Sequence, residues 1–198
     1  MSKTLLINAS LKHARDFVGP FLHHLEVYLN KQGEGVVDVR DYDTFDERTF
    51  FEYDHVVFVF MTSLNMVPSS MLGILNKLEG QTKQTRVYSL IVCDEYEPEK
   101  CDLSQKILEK WCEKENCSYQ GTLKIGSGLF IMKTTVRFIV SSHIQSLAKA
   151  IKNDDSYVSQ VTVPTMSHFM RNANRYWTNE IKKKQKEILK RKKATIEK

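Results

Sequence analysis

Apolar positions along the chain follow two alternating rhythms. Lys3 to Asn8 is a short, nearly continuous apolar run, the pattern of a strand buried on both faces. From Asp16 to Lys31 the rhythm changes. Phe17, Val18, Phe21, Leu22, Leu25, Tyr28 and Leu29 recur at helical spacing, and Gly33 follows as a stop signal. Gly35 to Arg40 predicts a second strand. Asp54 to Met61 predicts a third, whose β-branched and aromatic run suits the centre of a sheet. Pro68 to Leu78 is helical, with proline in the first turn where a helix tolerates it. Arg86 to Cys93 reads as a strand, Asp102 to Asn116 as an amphipathic helix, and Tyr119 to Ile125 as a fifth strand before Gly126-Ser127-Gly128. Thr134 to Lys152 is a further helix, and a last one runs from about Met166 into a basic tail.

Strands alternating with helices predict an α/β fold: a parallel sheet with right-handed crossovers and helices on both faces. Five strands in about 150 residues suit the doubly wound order 2-1-3-4-5. The 198 residues predict one domain, with a core over residues 1–152 and an extension over 153–198 that ends in the basic helix.

Charge narrows the choice of partners. Between Ile181 and Lys198 stand nine Lys or Arg against two Glu, a local +7 that leaves −2 for the rest of a chain carrying +5. Basic character confined to one segment argues against nucleic acid as the partner of the whole domain. The tail itself reads as a solvated terminal helix, with attraction to an anionic surface or to nucleotide phosphates as the alternative. No apolar run approaches the roughly 20 residues of a membrane span, so no membrane partner is expected. The first residues lack the pattern of an export signal, and Cys93, Cys101, Cys112 and Cys117 read as reduced thiols in a cytoplasmic chain. Their spacing fits no zinc site, and no histidine stands at triad spacing. No metal and no protein nucleophile are expected.

In a doubly wound sheet, ligands bind beyond the carboxyl ends of the strands. That brings Ala9–Arg15, Met61–Pro68 and Cys93–Cys101 together. Asn8-Ala9-Ser10-Leu11-Lys12 resembles the phosphate loop of the flavodoxin-like NADPH-dependent FMN reductases and NAD(P)H:quinone reductases. Met61 to Pro68, followed by Leu72 and Leu75, is similar to their third loop and the helix after it. Glu95 to Glu99, with the stretch from Lys106 to Cys112, looks like the fourth. The likeness covers about residues 3–150 and rests on order and spacing. It implies a three-layer flavodoxin-like sandwich that binds FMN, takes hydride from NAD(P)H and passes electrons to a quinone, a nitro or azo compound, or free flavin. Ser10, Lys12 and Arg15 would then hold the phosphate, while Thr62, Ser63, Leu64, Asn65 and Tyr96 would line the ring. The resemblance also implies a homodimer, for which the apolar residues of the helix Thr134–Lys152 offer surface.

Departures from the family pattern keep a second reading open. Ala9 stands for the usual glycine and Leu11 for the proline, and Asp16 replaces a hydroxyl residue. Asp16 reads as an N-cap whose carboxylate would occupy phosphate donors. The alternative is therefore a binding or regulatory protein with a vestigial flavin site. An electron carrier fits less well, because ring-stacking aromatics are sparse and the net charge is basic.

Overall fold

The computed structural model describes residues 2–31, 33, 35–62, 64–80 and 85–196, with the side chains of Phe51 and of residues 190–196 left aside. The chain forms two compact units, Met1–Thr162 and Val163–Lys198.

The first unit is a parallel sheet of β1 (Ser2–Asn8), β2 (Gly35–Asp41), β3 (His55–Met61), β4 (Arg86–Val92), β5 (Ser118–Ile125) and β6 (Tyr157–Val161). Their order is β2-β1-β3-β4-β5-β6. The sequence predicts five strands; the sixth lies parallel to β5, with Gly121 opposite Tyr157. Its side chains alternate between partly covered and exposed, as an edge strand's do, so it lacks the apolar run that marks β1 and β3. Gly121, at φ +142°, makes the pairing possible: a Cβ there would overlap the Tyr157 carbonyl.

Helices α1 (Arg15–Lys31), α2 (Ser69–Leu78), α3 (Asp102–Lys114) and α4 (Arg137–Asn153) cover the sheet. Leu5, Ile7, Val56, Phe58 and Phe60 form one core layer with Met71, Ile74 and Leu78 of α2 and Leu108 and Trp111 of α3. The alternate strand positions, such as Leu6, Val57 and Val59, are equally buried on the opposite face. There α1 meets α4, joined where Tyr28 Oη lies 2.8 Å from Ser141 Oγ. The connection from β2 to β3 holds only a short 3₁₀ turn, Glu47–Glu52, capped by the Asp46 carboxylate on Arg48 N–H.

The second unit is dominated by α5 (Met166–Ile196), 31 residues of uninterrupted helix. No helix among the described residues is long and apolar enough to cross a membrane.

Candidate functional site at the carboxyl edge of the sheet

Beyond each strand's carboxyl end, the next backbone N–H donates onto the neighbouring strand. Ala9 N–H reaches Val59 O, Thr62 N–H reaches Val92 O, and Cys93 N–H reaches Ile125 O, all at 2.8–2.9 Å. Side chains continue the joining. Ser10 Oγ accepts from Met61 N–H at 3.1 Å, and Ser70 Oγ donates to Ala9 O at 2.6 Å. Ser127 N–H donates to Glu95 O at 2.6 Å and Gly128 N–H to Cys93 O at 2.8 Å. Glycine is required at 126 and 128: a Cβ on the first would sit 2.6 Å from Tyr96 O, and one on the second would overlap Val92. The segments after β1, β3, β4 and β5 thus form one continuous ledge.

The first loop differs from its sequence reading in two respects. The helical turn begins at Lys12, in a 3₁₀ segment Lys12–Ala14, so Asp16 lies inside the first turn of α1 and does not cap it. Ser10 is wholly buried, its hydroxyl oxygen bracing the end of β3. Lys12 is exposed beside the loop. Arg15 is largely covered: Nη1 donates to Asp41 at 3.2 Å, Nη2 lies 2.8 Å from Asp43, and the guanidinium stacks 4.7 Å over Tyr42. Asp43 holds the Arg15 guanidinium above its ordinary range, and Arg15 in turn lowers the Asp43 carboxyl. Arg15 Nε is nonetheless buried with no acceptor.

On the third loop, Thr62 is buried, Leu64 is 92% exposed, and both Leu64 and Asn65 adopt left-handed backbone, at φ 52° and 62°. Asn65 Oδ1 is buried and accepts no hydrogen bond. Ser63 lies outside the described residues. On the fourth loop Tyr96 is half-buried. Glu95 Oε2 is buried without a partner, and burial, reinforced by Asp94, raises the Glu95 carboxyl above the usual range. Cys93 and Cys101 are both fully buried, Cys93 Sγ donating to Glu97 O at 3.5 Å and Cys101 Sγ to Ile91 O at 3.7 Å, and the neighbouring Cys101 thiol, followed by burial, drives the Cys93 thiol upward. Among the described residues no cluster of His, Cys, Asp or Glu could hold a metal.

A cavity of about 380 Å³ flanks the first loop, between it, Tyr42 and Asp43 after β2, and Ser69, Ser70, Gly73 and Lys77 of α2. Sequence reasoning passed over these residues. The one local signal was Ser69-Ser70 behind Pro68, a polar start to a helix.

No protein-family profile matches the chain, and no curated protein matches it in sequence. Solved structures do match in shape. A flavodoxin of Streptococcus pneumonia TIGR4 superposes with a TM-score of 0.61 at 12% identity, over 78% of this chain and 99% of that one. An azoreductase from Bacillus anthracis strain Sterne gives 0.58 at 12%, over 78% and 100%. An FMN-dependent NADH-azoreductase from Bacillus anthracis strain Ames Ancestor, solved with FMN, gives 0.58 at 11%, over 75% and 98%. The fold is therefore flavodoxin-like, a fold shared by flavodoxins and FMN-dependent azoreductases.

Proposed function

We propose that the protein is an FMN-dependent oxidoreductase that takes electrons from NAD(P)H and delivers them to a quinone, a nitro or azo compound, or free flavin. The observation that carries this reading is the state of the ledge: two buried acceptors without donors, Asn65 Oδ1 and Glu95 Oε2, beside the exposed apolar Leu64. Burying an unpaired polar atom costs about 1–3 kcal/mol, which a hydrogen-bonding ligand relieves. Asn65 Oδ1 suits the ring N3–H of an isoalloxazine, with Thr62, Leu64 and Tyr96 around it. Lys12 and the unmatched Arg15 Nε suit a phosphate at the start of α1, where helix dipole and free N–H groups favour an anion. A bound flavin supplies the redox chemistry, so the protein's part is position and electrostatics. The fold's neighbours, among them an azoreductase solved with FMN, support the reading.

The alternative, a binding protein with a vestigial flavin site, is favoured by one observation: Asp41 and Asp43 already hold Arg15. Titrating FMN fluorescence with the purified protein separates the two. The oxidoreductase reading expects quenching, weakened roughly 10- to 100-fold by Arg15→Ala through loss of a charge-assisted contact, and NADH oxidation once FMN is added. Absence of quenching sinks it. A homodimer belongs to the same proposal. Of the apolar residues on α4, most are buried within the first unit, while Phe138 and Ile139 remain 68% and 51% exposed.

A further inference from the structure

The long helix α5 carries two faces of opposite character. Met166, Met170, Trp177, Ile181 and Ile188 are each about half exposed, at 47%, 50%, 54%, 56% and 53%. Their spacing of four and seven residues repeats every eleven, so at about 100° per residue they fall within an arc of roughly 60°. An eleven-residue repeat stays close to the helix's own period and keeps the stripe nearly straight over its length. Arg171, Arg175, Lys182 and Lys186 occupy a second arc of roughly 60° on the far side, where the exposed Leu189 is the one large apolar residue among the described side chains. The sequence of the helix holds ten Lys or Arg against Glu180 and Glu187, a net +8.

From this arrangement we propose that α5 lies on the surface of an anionic bilayer, its Met–Trp–Ile stripe set into the headgroup boundary. Low overall apolarity, a basic polar face and an opposing face with tryptophan are the marks of an interfacial helix. Charge complementarity selects this occupant. Two copies of a +8 helix repel each other, so the stripe is poorly suited to self-association. A nucleic acid would use the basic arc and leave the apolar stripe in water. The far-side cations stand about one helix diameter from the boundary, comparable with a Debye length, and still feel the surface charge. Lys184 lies within the stripe and reaches outward by its stem. This attachment departs from the expectation of no membrane partner, which rested on the lack of a spanning segment.

The test is flotation of the full chain with phosphatidylcholine vesicles, with and without added phosphatidylglycerol. The protein should float with the anionic vesicles alone, less so as salt rises. Its tryptophan emission should shift blue, a change that reports Trp177 because Trp111 is already buried. Trp177→Glu should lower the vesicle-bound fraction at least ~10-fold with an unchanged melting temperature, since loss of a stripe anchor removes apolar burial. Replacing Lys182, Lys183 and Lys184 by Gln should weaken binding by roughly 100-fold, at about 5-fold per surface charge. Failure to float at low salt overturns the proposal, as does flotation that survives Trp177→Glu. Tighter binding to duplex DNA that ignores Trp177→Glu overturns it in favour of a nucleic acid. A dimer that dissociates on Trp177→Glu overturns it in favour of a second copy.

Discussion

The two ends of the same six-stranded sheet treat their polar groups in opposite ways. At the amino edge, among the described residues, the groups around His55 are matched. A carboxylate can only accept, so His55 Nε2–H donates to Asp154 Oδ1 at 2.6 Å, leaving Nδ1 to take the Ser2 hydroxyl at 3.0 Å. Asp154 also meets Arg86 at 3.3 Å, and Tyr88 Oη donates to Asp155 O at 3.0 Å. Burial, with Asp154 adding to it, pushes the Tyr88 phenol up to about 12. At the carboxyl edge Asn65 Oδ1 and Glu95 Oε2 go unmatched; Leu64, Asn65 and Ser127 there, like Asn116 and Asp154 by the amino edge, hold backbone in the left-handed region. Residues in that region cost of order 1 kcal/mol or more, although Asn tolerates it well. The first edge closes on its own groups around His55, while the other leaves two buried acceptors unpaired, the feature on which the proposed flavin site rests.

The largest effect should come from breaking the closed edge. His55→Ala removes a buried ring and takes one hydrogen-bond partner each from Ser2 and Asp154; we expect a loss of about 2–4 kcal/mol in urea unfolding, mostly from the emptied ring space, with FMN affinity of the folded chain unchanged. A loss below about 1 kcal/mol would mean that the edge is not held as described. On the other edge the sign should reverse. Asn65→Gly removes an unpaired acceptor and suits the left-handed backbone, against the higher chain entropy of glycine. The unliganded protein should therefore unfold no more easily, gaining up to about 1 kcal/mol, while FMN binding weakens about 2- to 10-fold. Parallel urea and fluorescence titrations read both.

The smallest effect is pH-dependent. Because the Glu95 carboxyl is raised in the folded chain, the folded state carries no disadvantage below the unfolded value near 4.5, and acquires one as pH rises through the folded value. Glu95→Gln should then melt slightly higher than the parent at neutral pH and equal to it in acid. Equal melting temperatures at both pH values would show that the carboxyl sits in water.

Where hydrophobic rhythm alone decides an element, the sequence was readable: β1, β3 and the helices of the first unit emerge from period and length. β6 did not, because Ser156, Ser159 and Gln160 dilute the apolar signal of an edge strand whose place depends on a glycine 36 residues earlier in the chain. The site was legible as a set of loops but not as a set of contacts. Nothing local marks Ser10 as buried, since its partner Met61 N–H is 51 residues away. Asp16 looked like a cap because a 3₁₀ turn with buried Ala14 is indistinguishable in sequence from ordinary loop. The Ser2–His55–Asp154 chain spans separations of 53 and 99 residues, beyond any motif of fixed spacing.

That last separation bears on how the molecule is made. His55 leaves the ribosome 99 residues ahead of its acceptor, a delay of roughly 5–20 s at about 5–20 residues per second. During that interval β1, β3 and β4 can pair, yet a buried imidazole N–H points at nothing. Closure arrives only when the last turn of α4 reverses direction at Asp154, whose left-handed conformation, φ 62°, turns its carboxylate to His55 and Arg86. The carboxylate that completes the start of the sheet is among the last groups of the first unit to be synthesised. A nascent chain stalled before it would hold a paired sheet with an open amino edge.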